Sequence, residues 1–180
     1  MMVLPAWAQG GGTATTRLRS FDEVPAISSL AEGRFTLSLN GQGTSLTYEL
    51  SYSGLRGNVT QAHIHVAQPG VNGGIVIFLC SNLGNGPAGT QSCPASGTIS
   101  GTVAAANVVG SAAAQGVAAG ELARVVRAMR NGVTYVNVHS TLFPGGEIRG
   151  QLKLGRGSSG EGDAEAEAEG VEDHMDHMHH

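Results

Sequence analysis

The sequence predicts an all-β domain, an antiparallel Greek-key-like sandwich or barrel of about seven to eight strands with one or two short helices. Three observations carry this. Several runs alternate apolar and polar residues with a period of two. Gly/Asn-rich linkers separate those runs in the manner of hairpin turns. The composition, 28 glycines with 13% charged and 4% aromatic residues, favours short strands and tight turns over long helices.

The elements follow in chain order. Residues 9–16 form a Gly-rich lead, expected to be flexible. Arg34 to Leu39 then places Phe35, Leu37 and Leu39 on one face. Asn40-Gly41-Gln42-Gly43 supplies a turn, and Thr44 to Tyr52 alternates again through Leu46, Tyr48, Leu50 and Tyr52. Further strands are expected at Asn58–Val66, Gly74–Leu79, Gly97–Val103, Thr134–Ser140 and Glu147–Leu154. One helix is expected over Ala118–Arg130, because Leu122, Val125, Val126 and Met129 recur at three- and four-residue steps. Arg124, Arg127 and Arg130 take its other side and last turn, and Asn131-Gly132 is a C-terminal stop. The Ala-rich stretch Ala104–Ala119 has room for a second short helix.

Beyond Leu154 the chain changes character. A Gly/Ser linker leads into Asp163-Ala164-Glu165-Ala166-Glu167-Ala168-Glu169, which has no apolar face to bury. Residues 155–180 are therefore expected to form a disordered acidic tail. The net charge of −4 hides this division. Residues 1–155 carry nine Arg/Lys against six Asp/Glu, whereas the tail sets Arg156 against eight acids. The domain is near neutral, and no basic field gathers nucleic acid phosphates.

Two features bear on compartment. Met1 to Ala8, MMVLPAWA, ends in a small-x-small pattern and reads as a signal-peptide remnant. Cys80 and Cys93 lie in a Gly/Asn/Ser/Pro-rich stretch and suit a local disulfide in an oxidising compartment, two free thiols being the alternative. Both point to a periplasmic or secreted protein. No run approaches the ~20 apolar residues of a membrane span.

The seven histidines fall into two groups, three in the domain and four in the last seven residues. In Gln61-Ala62-His63-Ile64-His65-Val66 both imidazoles share the strand face opposite Ala62, Ile64 and Val66. In Thr134-Tyr135-Val136-Asn137-Val138-His139 the same parity sends Tyr135, Asn137 and His139 away from the core-facing valines. If the two strands are neighbours, His63, His65 and His139 meet. Three imidazoles with an open fourth position suit copper or zinc, and copper is the expected cofactor. The plain alternative is a set of solvated surface histidines. Asn137 is a candidate supporting residue. Glu147 and Arg149, after Pro144-Gly145-Gly146, share one face; Glu147 is a candidate to orient an imidazole and Arg149 to attract anions. Their alternative is an exposed ion pair. In the tail, His174, Met175, His177, Met178, His179 and His180 offer imidazole to Cu(II) and thioether to Cu(I).

Four stretches also carry a family resemblance. They are Phe21-Asp22-Glu23-Val24-Pro25; Ala62-His63-Ile64-His65 with Gly70-Val71-Asn72-Gly73-Gly74-Ile75-Val76; Tyr135 to Ser140; and Phe143-Pro144-Gly145-Gly146-Glu147-Ile148-Arg149-Gly150-Gln151-Leu152. From about Arg17 to Leu154 the chain resembles the CHRD (chordin) domain, so 17–154 is the expected domain. That resemblance implies a β-rich module found in exported bacterial proteins and, repeated, in animal chordins, without implying an enzyme. The histidine pattern is more distantly similar to the copper side of Cu,Zn superoxide dismutases, but further core histidines for a fourth ligand or a zinc site are missing. The expected function is an exported copper-binding protein acting in storage, delivery or detoxification. A metal-free structural or adhesive module and a copper-dependent redox enzyme are the alternatives.

Overall fold

A computed structural model describes residues 11–155. Eight strands occur among them: β1 Gly12–Arg19, β2 Glu32–Leu39, β3 Ser45–Ser53, β4 Val59–Val66, β5 Gly74–Ser81, β6 Gly97–Ala104, β7 Thr134–Ser140 and β8 Ile148–Leu152. They form one antiparallel sheet in the order β5-β4-β7-β8-β1-β2-β3-β6, curled into a nearly closed barrel. The helix α1 spans Leu122–Arg130, and the Ala-rich stretch before it holds two short 3-10 turns, Ala105–Asn107 and Gly110–Gln115.

The alternation read from the chain sets the barrel interior. Phe35, Leu37 and Leu39 of β2 and Leu46, Tyr48, Leu50 and Tyr52 of β3 are all buried in the core. The α1 stripe Leu122, Val125, Val126 and Met129 is buried as its spacing requires. The helix ends at Arg130, and Gly132 just beyond it adopts φ 69. There the Gly132 and Val133 amides donate to the Met129 and Ala128 carbonyls, satisfying acceptors that the last turn leaves open.

One expectation is corrected. The lead is not flexible from Gly12 onward; it is β1, paired with β2 from Gly12↔Leu39 to Arg19↔Glu32. Its inward residues include Gly12 and Ala14, too small to register as an apolar alternation. Thr13, Thr15 and Thr16 supply the strand preference instead. The expected signal-peptide remnant at residues 1–8 lies outside the described residues. So does the acidic tail from 156 onward, with His174, Met175, His177, Met178, His179 and His180.

The sheet's two ends, β5 and β6, meet at a seam covered by residues 82–96. Gln91 Nε2 donates to the Leu79 carbonyl of β5 at 3.2 Å and the Ser100 carbonyl of β6 at 3.0 Å. Tyr48 Oη also donates to Leu79, at 2.9 Å. Cys80 and Cys93 form a disulfide that pins this segment to β5. Bridging the edges leaves less free strand backbone for another chain to pair with. No described helix is long and apolar enough to cross a membrane.

Candidate metal centre

The centre is built on the paired strands β4 and β7. Their register sets His63 opposite Asn137, His65 opposite Tyr135 and Gln61 opposite His139. The parity argument therefore holds: all these side chains leave the apolar interior, and all but Gln61, which turns out to exposed Asn85, converge on one site. That face is nevertheless buried, not solvated. His63 is fully buried and His65, Asn137 and His139 nearly so. The cover comes from segments no alternation pattern announces. Phe78 of β5 meets the His63 ring edge-on at 4.4 Å between centroids, beside irregularities in the β4–β5 register. The turns around Gly73 and Gly146 close over the rest.

Two backbone carbonyls orient the imidazoles. His65 Nδ1 lies 2.9 Å from the Gly73 carbonyl, and His139 Nδ1 lies 2.9 Å from the Pro144 carbonyl. A carbonyl oxygen only accepts, so both Nδ1 atoms carry the proton and both Nε2 atoms present lone pairs. This is the usual way a protein aims a histidine at a metal. His63 Nδ1 lies 3.1 Å from His139 Nε2. Two nitrogens bound at about 2.0–2.1 Å to one tetrahedral ion stand about 3.3 Å apart, so that contact is close to one edge of a coordination polyhedron. One ligand atom from each of His63, His65 and His139 lies within 4.8 Å of the others.

Both His63 Nε2 and His65 Nε2 are buried without a hydrogen-bond partner. The unpaired His65 Nε2 lone pair, beside that of His139, is costly to bury and fits a cation; His63 would complete the set through Nδ1, the nitrogen next to His139 Nε2, with its own proton then on Nε2. The donor set fits a borderline ion such as copper or zinc.

Two glycines permit the enclosure. A Cβ at Gly73 would meet the Val66 carbonyl, and one at Gly146, where φ is 127, would meet Glu23 Oε1 and Asn137 Nδ2. A side chain at Gly73 would displace the backbone that orients His65, and one at Gly146 would displace the Glu23 and Asn137 side chains.

Arg149 and Glu147 are both buried, so an exposed ion pair is not what they form. The Arg149 guanidinium lies 3.4 Å over the Tyr135 ring, whose other partner is His65, stacked at 4.6 Å and 5°. Arg149 also donates to the Val71 carbonyl at 2.8 Å and to Asn72 Oδ1 at 3.2 Å. The Glu147 carboxylate accepts from Ser140 Oγ at 2.6 Å and from the Arg56 amide at 2.9 Å. It ties the end of β7 to the β3–β4 connection, and no imidazole donates to it.

Sequence reasoning missed Glu23 as a site residue, although it stands in one of the motifs that carry the resemblance. It is a buried carboxyl with Oε1 unpartnered. Burial pushes it up to about 7, against the opposing influence of the Val24 amide, the Arg149 charge and the Asn137 side chain. Asn137 is thus close enough to favour the carboxylate, without an aligned hydrogen bond to Oε1.

The imidazoles shift the other way. Burial pushes His63 down to about 2, with repulsion from His139 and His65 adding to it. His65 is pushed down to about 4 by burial first, against the Gly73 hydrogen bond. Burial also lowers His139. The folded metal-free protein therefore resists protons that the unfolded chain binds below its ordinary histidine value. The stability the imidazoles contribute is full above pH ~6.5 and falls on acidification, by up to about 1.4 kcal/mol per pH unit for each. Glu23 acts oppositely, since its contribution is present below its unfolded value of 4.5 and is lost as pH rises through about 7. It offsets one imidazole of the three. Melting of the metal-free protein followed from pH 7.5 to 4.5 is expected to show a falling Tm, and a flat profile would refute this account of the cluster.

Fold and site together define the class: an all-β barrel with a buried three-histidine cluster able to hold a metal ion. The family model for the CHRD domain matches residues 14–152, and the chain belongs to that family. No curated protein and no solved structure matches it.

Proposed function

We propose that this CHRD-domain protein is an exported metal carrier that binds one copper ion on His63, His65 and His139, acting in copper storage, delivery or detoxification. The observation that supports it best is the pair of backbone-anchored imidazoles. Gly73 and Pro144 hold the Nδ1 protons of His65 and His139, leaving Nε2 lone pairs beside His63 in a pocket that offers them little to accept. The disulfide Cys80–Cys93 fits an oxidising compartment, which supports export. The tail residues His174, Met175, His177, Met178, His179 and His180 would act as a second, weaker collector of copper. Zinc is the competing ion for the core site.

The test is competition titration with Cu(II), Cu(I) and Zn(II) on the full chain, a chain ending at residue 155, and a His63→Ala/His65→Ala variant. One tight site is expected to survive removal of the tail and to vanish in the double variant. Copper affinity unchanged by both alterations would sink the proposal.

A further inference from the structure

Asn137 stands opposite His63 in the register, and its Oδ1 lies 3.0 Å from His139 Nε2. His139 Nε2 is the lone-pair nitrogen, because Nδ1 donates to Pro144. Two acceptors therefore face each other across a hydrogen-bonding distance, beside a third acceptor on His65. The amide could relieve this by reversing, so that Nδ2 faced His139. Glu23 opposes the reversal. Its buried Oε1 and Asn137 Nδ2 both border the Cβ position of Gly146, so the carboxylate lies on the amide nitrogen side. The Arg149 charge and a cation held by the histidines both favour the ionised form of Glu23, and an ionised carboxylate only accepts hydrogen bonds, so it selects the orientation with Nδ2 toward itself and Oδ1 toward the histidines.

We infer that Asn137 Oδ1 is a fourth protein ligand of the three-histidine site and that Glu23 is the positioning residue that aims it there. This rests on the three-histidine reading and adds to it. Three imidazoles and one amide oxygen make a set with no soft donor. Such a set favours a divalent ion, Cu(II) or Zn(II), over Cu(I). The core then holds oxidised copper, and the resident site has less room for an exogenous ligand than a three-coordinate ion would leave.

Two measurements on the full-length protein test this. The first uses the unaltered protein grown with asparagine labelled with 13C at the side-chain carbonyl and loaded with Cu(II). Pulsed electron-nuclear double resonance is expected to show a 13C coupling of the strength of a coordinated carbonyl. Its absence overturns the assignment and indicates the reversed amide. The second measures Cu(II) and Cu(I) affinities by chelator competition in Asn137→Ala and Glu23→Gln. Asn137→Ala is expected to lose about 10- to 100-fold in Cu(II) affinity and much less in Cu(I). Glu23→Gln, whose amide accepts either orientation of Asn137, is expected to weaken Cu(II) binding and split or shift its EPR spectrum. Equal losses for both oxidation states in Asn137→Ala, or an unchanged spectrum in Glu23→Gln, refute the respective roles. Failure of the unaltered protein to bind Cu(II), Cu(I) or Zn(II) would instead refute the three-histidine reading itself.

Discussion

Arg149→Met is expected to destabilise the protein by about 3 kcal/mol or more and to weaken metal binding in the same step. The guanidinium lies between the sheet and the segment that follows β4. It covers one face of Tyr135 and donates to the Val71 carbonyl and Asn72 Oδ1, with a longer contact of 3.4 Å to the Gln68 carbonyl. Methionine matches much of its length but donates nothing, so these acceptors lose their partner in a buried setting. The charge that favours the Glu23 carboxylate disappears as well. Gly73, whose carbonyl orients His65, is the residue after Asn72, so slack in this segment reaches the imidazole directly. Lysine is not expected to rescue the loss, since one ammonium cannot lie flat on Tyr135 and reach two acceptors in a fork. Urea unfolding with metal competition on the same samples measures both effects. A loss below about 1 kcal/mol with unchanged affinity would show that Arg149 is not what holds the segment.

A Cys80→Ala/Cys93→Ala variant, or the protein held reduced, is expected to lose about 3 kcal/mol of stability and to associate more readily. The crosslink closes a short loop, 13 residues in separation, and such a loop costs less entropy to fold when already tied. Position makes the loss worse than a generic loop would predict. The tied segment carries Gln91, which bridges β5 to β6, and Asn82, whose side chain donates to the Val59 and Cys93 carbonyls. Loosening it uncovers two strand edges together. Guanidinium unfolding with and without reductant, run beside light scattering, would register both consequences. A variant with the stability and monodispersity of the unaltered protein would mean that Gln91 and Asn82 close the seam unaided.

Much of the architecture was legible along the chain. Most strands from β2 to β8 and the α1 stripe were marked by period-two and three-four spacing, and β5 by a short continuous apolar run between Gly-rich turns. Boundaries moved by a few residues at turns and at the start of α1, where Gly120 (φ 80) precedes the first helical turn. β1 escaped notice because its inward positions are small. The pairing of Ala62-His63-Ile64-His65 with Asn137-Val138-His139 was conditional in the sequence: parity put the imidazoles on one face of each strand but could not make the strands neighbours. Only the β4–β7 register did that.

What the one-dimensional pattern determined was therefore the class of fold, the two strand faces that carry the histidines, and the family motifs around them. What required three dimensions was the cover. Burial of His63, the reach of Glu23 past Gly146 and the Arg149–Tyr135–His65 stack join residues distant in sequence, while the Gly73 and Pro144 carbonyls reach their imidazoles through the turns that follow β4 and β7. Side-chain periodicity reports only which way a strand faces. Whether that face meets water or a dry pocket of lone pairs depends on loops whose backbone carbonyls leave no mark in the amino-acid order, and that difference separates three surface histidines from a buried cluster able to hold a metal ion.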